Sequence, residues 1–182
     1  MSIKPQRIVV TGAGGFVGRA LVTLLRERGH EVITVARSGA ATVTVPDYAD
    51  AGRLVAAMQG ASSVIHLAAR AHRGGVDADF EPSVVAARSA ANAARASGAG
   101  RFVLVSSIGV NGNVTHGHAF TEADAPAPVE PYARSKLLAE QAVQRELSGS
   151  ATSWTLVRPP LVYGPGAPGN FARLVRAVAR GI

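Results

Sequence analysis

Cysteine is absent from the 182-residue chain. Without it there can be no disulfide framework and no thiolate metal site, a composition expected of a cytoplasmic protein. Lysine is nearly absent too: Lys4 and Lys136 are the only two, and the formal charge of +7 rests on arginines spread along the chain. No basic block results, which argues against a nucleic-acid-binding arm. No run of about 18 or more apolar residues exists, so no membrane-spanning helix is expected. Met1-Ser2-Ile3-Lys4-Pro5 lacks the apolar core of a secretion signal. Charged residues make up only 17% of the chain against 47% hydrophobic, which excludes a disordered chain and leaves one globular domain with a core of useful size.

What is present is an alternation of two hydrophobic patterns. Short β-branched or apolar runs at Ile8–Val10, Glu31–Ala36, Thr42–Val45, Ser63–Ala68, Arg101–Ser106 and Trp154–Arg158 predict six strands. Between and after them, apolar residues at helical spacing predict helices over Phe16–Leu25, a short one capped by Asp50, Asp79–Ala96, Tyr132–Leu147 and Asn170–Ala179. Residues 109–130 hold glycines and prolines and read as a long loop. This order predicts an α/β fold with a doubly wound parallel sheet, whose ligands bind beyond the carboxyl ends of the strands.

The chemistry-bearing residues fall at those ends. Strand one runs into Thr11-Gly12-Ala13-Gly14-Gly15-Phe16-Val17-Gly18 and then a helix, the parts of a dinucleotide site. Gly12 allows the tight turn, Gly15 lets backbone amides approach the pyrophosphate, and Gly18 removes a side chain where helix and strand meet. The helix N-terminus adds its partial positive charge. At the end of strand two, an enzyme preferring NAD usually carries Asp or Glu to hold the ribose hydroxyls. This chain has Ala36, then Arg37 and Ser38, a fork and a hydroxyl suited to a 2′-phosphate, which favours NADP over NAD.

Tyr132 and Lys136 are four residues apart and share a helix face. A phenol is a poor acid–base group near neutrality, and a neighbouring ammonium is expected to pull its pKa down. With a serine hydroxyl from the end of strand five, the pair can pass a proton to or from an alcohol or carbonyl while a nicotinamide moves a hydride. His66, on a buried strand, reads as a core histidine. His116 and His118 share a polar loop without a third ligand, so no metal is expected. His72 and Arg73 are candidates for a substrate phosphate.

Taken together these motifs resemble the extended short-chain dehydrogenase/reductases of the NAD-dependent epimerase/dehydratase family. The resemblance rests on the glycine turn, on His66-Leu67-Ala68-Ala69, on Tyr132-Ala133-Arg134-Ser135-Lys136, and on Arg158-Pro159-Pro160-Leu161-Val162-Tyr163-Gly164-Pro165-Gly166. It implies a Rossmann-like fold with Ser107, Tyr132 and Lys136 catalytic. It also implies a cofactor site drawn from Gly12, Gly15, Phe16, Val17, Gly18, Arg37, Asp47, Tyr48, Leu67, Ala68, Ala69, Ser106, Tyr132, Lys136 and Pro159, with Asp47 and Tyr48 against the adenine. Ser107, Tyr163 and Asn170 are implied to face the substrate.

Ser106-Ser107-Ile108-Gly109-Val110-Asn111-Gly112 is similar to the UDP-hexulose 4-reductases of surface-polysaccharide synthesis, and its register puts the catalytic hydroxyl on Ser107 rather than Ser106. A nucleotide-sugar substrate, NADP or NAD, and a homodimer follow as expectations. The same residues would serve a UDP-sugar 4-epimerase. A 4,6-dehydratase fits less well, because Ile108 and Gly109 have no proton to exchange. Pro82-Ser83-Val84-Val85-Ala86-Ala87 departs from the family's Asn-containing run, so no role of that asparagine carries over. Family members continue well past Ile182, so residues 1–168 are expected to form the cofactor domain and 169–182 the first helix of a substrate lobe most of which is missing. Such a chain alone would bind a dinucleotide without turnover, acting as a non-catalytic module.

Overall fold

The computed structural model describes residues 4–69, 80–115, 117–167 and 170–181. Its centre is β1 (Arg7–Thr11), where four consecutive residues from Ile8 are buried. Such a run suits a strand covered on both faces. It pairs in parallel with β2 (Glu31–Ala36) on one side and β4 (Ser63–His66) on the other. Beyond β2 lies the two-residue β3 (Val43–Thr44). Beyond β4 come β5 (Arg101–Val105) and β6 (Ser153–Val157), giving the order β3-β2-β1-β4-β5-β6 with every pair parallel.

The period of two along the strands divides the core. Val9, Val64, Phe102 and Leu104 point to one face. There they meet α2 (Ala51–Met58), α3 (Glu81–Ala96) and α4 (Pro131–Leu147) through Leu54, Met58, Val143 and Leu147. Ile8, Val10 and Val32 point to the other face, against Val22 and Leu25 of α1 (Phe16–Glu27). Six alanines of α3 are buried, and their small side chains let α2 and α4 both pack closely on it. The last helix, α5 (Asn170–Ala179), leaves Leu174, Val175 and Val178 exposed.

The six expected strands and five helices are all present, with several ends shifted by a residue or two and three differences that have a local cause. The fourth strand stops at His66, because its partner β1 ends opposite it at Thr11 and turns away at Gly12. The third shrinks to two residues, since Thr42 is drawn off to bond the Thr34 hydroxyl, its N–H donating at 2.8 Å. The expected loop opens with a 3-10 turn (Ile108–Val110), capped by the Ser107 hydroxyl, which accepts the Gly109 N–H at 3.2 Å. Asp79 and the boundary expected at 168 and 169 lie outside the described residues. Among the described residues no helix is long and apolar enough to cross a membrane.

Candidate active site

The sheet changes winding direction between β1 and β4, and the chain leaves β1 there through a turn only glycine permits. Gly12 has φ +69°, and a Cβ on it would stand 2.7 Å from the Ala68 nitrogen. Gly18 is equally constrained: its Cβ would stand 2.4 Å from the Gly12 carbonyl oxygen and 2.8 Å from Ala13. It therefore seats α1 on the glycine turn rather than on the strand, the contact anticipated from sequence. Gly15 donates its N–H to the Gly12 carbonyl at 3.0 Å, so its own amide is committed within the turn. The first bond inside α1 runs from the Arg19 N–H to the Gly15 carbonyl. The amides of Phe16, Val17 and Gly18 precede it and have no intrahelical acceptor, which leaves them to an anion at the positive end of the helix. Gly14 differs from its neighbours, because a Cβ there would meet nothing within 4 Å.

Beside this turn lies a cavity of about 720 Å³. Four strand ends contribute to it: Gly12, Gly14 and Gly15 after β1, Ala36–Ser38 at the end of β2, Pro46–Tyr48 after β3, and Leu67–Ala69 after β4. The opening of α3 closes it with Glu81, Pro82, Ser83, Val85 and Ala86. Asp47 accepts the Ala49 N–H at 2.8 Å. Burial pushes the Tyr48 phenol up, while its bonds to Thr11 and Gly12 and the nearby Arg37 work the other way. Glycines without side chains, amides at a helix N-terminus and an arginine at the end of β2 fit an adenosine diphosphate. The α3 residues were passed over in the sequence because that stretch lacks the family's asparagine; its place as the first helix after strand four was the available signal.

The second group of site residues sits farther along the same edge and does not line that cavity. Ser106 donates its N–H to the Val157 carbonyl at 2.7 Å, and Ile108 donates to the Pro159 carbonyl at 3.0 Å, which ties the end of β5 to the end of β6. Burial alternates along β5 and on into the serines. Ser106 is 4% exposed with its hydroxyl unpartnered, and Ser107 is half-buried. A Cβ on Gly109 would stand 3.4 Å from the Ala133 Cβ and 3.5 Å from the Ser107 hydroxyl. The 3-10 turn capped by Ser107 therefore lies at Gly109 against Ala133, in the first turn of α4 and one residue after Tyr132. Lys136, on the same helix, lies with its ammonium 5.8 Å from the Tyr132 ring centroid. The Tyr132 ring meets Phe80 edge-on at 6.0 Å, and Phe80 precedes the helix that walls the cavity.

The electrostatics depart from the sequence expectation. Burial pushes the Tyr132 phenol up, not down. Lys136 donates to the Val105 carbonyl at 2.9 Å, and burial lowers it to about 8, with the charge of Glu140 opposing that fall. The ammonium is thus engaged by the sheet, and desolvation of the phenol decides the direction.

The remaining residues fall as follows. His66 is a core residue: 1% exposed, its Nδ1 2.8 Å from the Thr11 hydroxyl, its ring edge-on to Tyr48 and stacked on Phe102. Burial lowers it to about 3, so it is neutral near pH 7. Phe16 reaches Gly164 in the segment after β6, where an added Cβ would meet its ring at 3.8 Å. Tyr163 is exposed, its ring 5.3 Å from that of Phe171, and Asn170 opens α5. His72, Arg73 and His116 lie outside the described residues. Sequence reasoning also missed Glu140, whose buried carboxylate pairs with Arg158; its place four residues after Lys136 was the only hint.

A family model described as the NAD dependent epimerase/dehydratase family matches residues 8–182. The chain is 33% identical to a UDP-glucose 4-epimerase of Vibrio cholerae over 98% of its own length and 58% of that protein. It is 34% identical to a 2-alkyl-3-oxoalkanoate reductase of Stenotrophomonas maltophilia (strain K279a) over 97% of its length and 57% of that protein. Among solved structures, MoeE5 in complex with UDP-glucose and NAD is 33% identical and superimposes with a TM-score of 0.82, covering 96% of this chain and 62% of that one. The chain thus spans less than two thirds of the length of each.

Proposed function

Because the chain belongs to the NAD-dependent epimerase/dehydratase family, we propose that it carries the cofactor and acid–base half of an NADP(H)-dependent reductase acting on the 4-keto group of a UDP-hexulose. One observation carries the reading: Ser107, Tyr132 and Lys136 gather at the strand ends beside a cavity whose β2 corner is Ala36-Arg37-Ser38 and holds no carboxylate. In the proposed site the glycine turn and the first amides of α1 hold the pyrophosphate, and Arg37 and Ser38 take the 2′-phosphate. Asp47, Tyr48 and Leu67–Ala69 flank the adenosine, while Ser106 and Pro159 close the nicotinamide side. The bound dinucleotide supplies the hydride.

Ser107 orients the substrate carbonyl oxygen by a hydrogen bond. Tyr132 gives that oxygen its proton; burial raises the phenol's pKa and so opposes the transfer, which leaves stabilisation of the phenolate to its neighbour. Lys136 then stabilises the phenolate and holds the nicotinamide ribose. Tyr163 and Asn170 border the sugar nucleotide. A second reading, a UDP-sugar 4-epimerase recycling its own NAD, is favoured by the likeness to MoeE5 with UDP-glucose and NAD and to the Vibrio epimerase.

The two readings separate in one experiment on the protein at its full natural length, given 4-deuterated NADPH and a 4-keto UDP-sugar. Stoichiometric loss of NADPH with deuterium at C4 of the product supports the reductase. Interconversion of UDP-glucose and UDP-galactose without external cofactor supports the epimerase, and neither activity would overturn both.

A further inference from the structure

Glu140 lies one helical turn after Lys136 on α4 and is 2% exposed. A carboxylate so placed is costly unless paired. Arg158, just past the end of β6, donates from Nε to Oε1 at 2.9 Å and from Nη2 to Oε2 at 2.6 Å. Its Nη1 donates to the Asn111 side-chain oxygen at 3.0 Å. Asn111 follows the 3-10 turn that Ser107 caps. One carboxylate and one guanidinium therefore join the helix carrying Tyr132 and Lys136, the end of β6, and the turn carrying Ser107. Apolar residues of similar volume often hold such segments as well as a buried ion pair does, so stability alone does not account for the charge.

We propose that Glu140 is a positioning residue: through Arg158 and Asn111 it fixes the Ser107 turn against α4, and its charge keeps the Lys136 ammonium seated on the Val105 carbonyl. This rests on the reading of Lys136 as part of the reaction machinery. Among the described residues, the charged or titratable groups around the ammonium are Tyr132 and Glu140 on its own helix, Arg158 beyond Glu140, and the neutral His66 of β4. Along the α3 interface, Arg95 pairs with Glu146, farther down α4. Burial draws Lys136 toward the neutral amine, and among these groups Glu140 is the one that opposes it.

The chain has only two lysines, so Lys136 can be watched directly. Carbon-13 labelling at lysine Cε gives two resonances, and Lys4→Arg assigns them. The wild-type Lys136 midpoint is expected near 8. In Glu140→Gln it should fall by about one unit or more, and in Glu140→Asp it should return toward the wild-type value. Mere loosening of α4 would let water reach the amine and raise the midpoint, so the sign separates positioning from structure. A midpoint unchanged or raised in folded Glu140→Gln overturns the proposal. Should that variant fail to fold, Arg158→Gln removes the cation that competes with Lys136 for Glu140, and the midpoint should rise without faster hydrogen exchange in α4. No rise, or a rise only with faster exchange, overturns it equally. Titration of the wild type with NADPH is read separately: absence of binding would sink the proposed function while leaving the lysine result standing.

Discussion

The two halves of the sheet edge hold polar groups in opposite ways. Around β1 and β2, backbone defines the site: Gly12 and Gly18 sit where a side chain would strike a main-chain atom, Gly14 opens onto the cavity, and the arginine of the β2 corner is exposed. Around β4, β5 and α4, buried side chains define it: His66, Ser106, Asn111, Lys136 and Glu140 are each less than a tenth exposed. The first half fails when atoms are added and the second when charges are removed. On the proposed reading the contrast has a reason: a surface that admits a phosphate needs room and oriented amides, and groups that hold or release a proton need a desolvated setting in which each charge answers another.

The largest expected break of this contrast is in the second half. Arg158→Met leaves the Glu140 carboxylate buried with its fork removed, and should cost about 3 kcal/mol in urea unfolding, the lower end for a broken buried pair because Arg158 is itself partly exposed. In the first half, Gly18→Ala should cost nearly as much, about 3 kcal/mol, since the added methyl meets a carbonyl and cannot turn aside. Gly14→Ala sharpens the point. It should leave stability within about 0.5 kcal/mol of wild type yet weaken dinucleotide binding, because Gly14 lines the cavity beside the glycine turn. Equal stability losses at Gly14 and Gly18 would contradict the backbone account.

A smaller effect comes from His66. Its pKa is about 3 folded and 6.5 unfolded. Between those values the unfolded chain binds the extra proton, so stability is complete above about pH 6.5 and falls as pH drops toward 3. By about pH 5 the loss from this group should reach about 2 kcal/mol. His66→Gln should flatten that part of the stability profile; an unchanged slope would remove His66 from the buried set.

Most of the fold was legible because its signals are local. A β-branched run marked β1, apolar runs marked β4 and β5, and an alanine-rich stretch that tolerates Pro82 in its first turn marked α3. The geometry of the candidate site was legible where a motif is contiguous, as in the glycine turn and the closeness of Tyr132 and Lys136. It was not legible where partners are distant in sequence. Glu140 meets Arg158 across 18 residues and Asn111 meets Arg158 across 47, and no pattern in the chain announces either contact. The direction of the Tyr132 shift was missed for a related reason: the spacing to Lys136 was visible, but the burial that outweighs it and the Val105 carbonyl that holds the lysine were not.

The cofactor corner carries the proposed function on a small energy, about 1.4 kcal/mol for a tenfold affinity difference. Titration calorimetry of the wild-type chain and of Arg37→Ala with NADP and with NAD tests it most directly. The account predicts that the wild type binds NADP about tenfold more tightly than NAD and that Arg37→Ala erases the difference. Equal affinities in the wild type, or a preference for NAD untouched by Arg37→Ala, would contradict it.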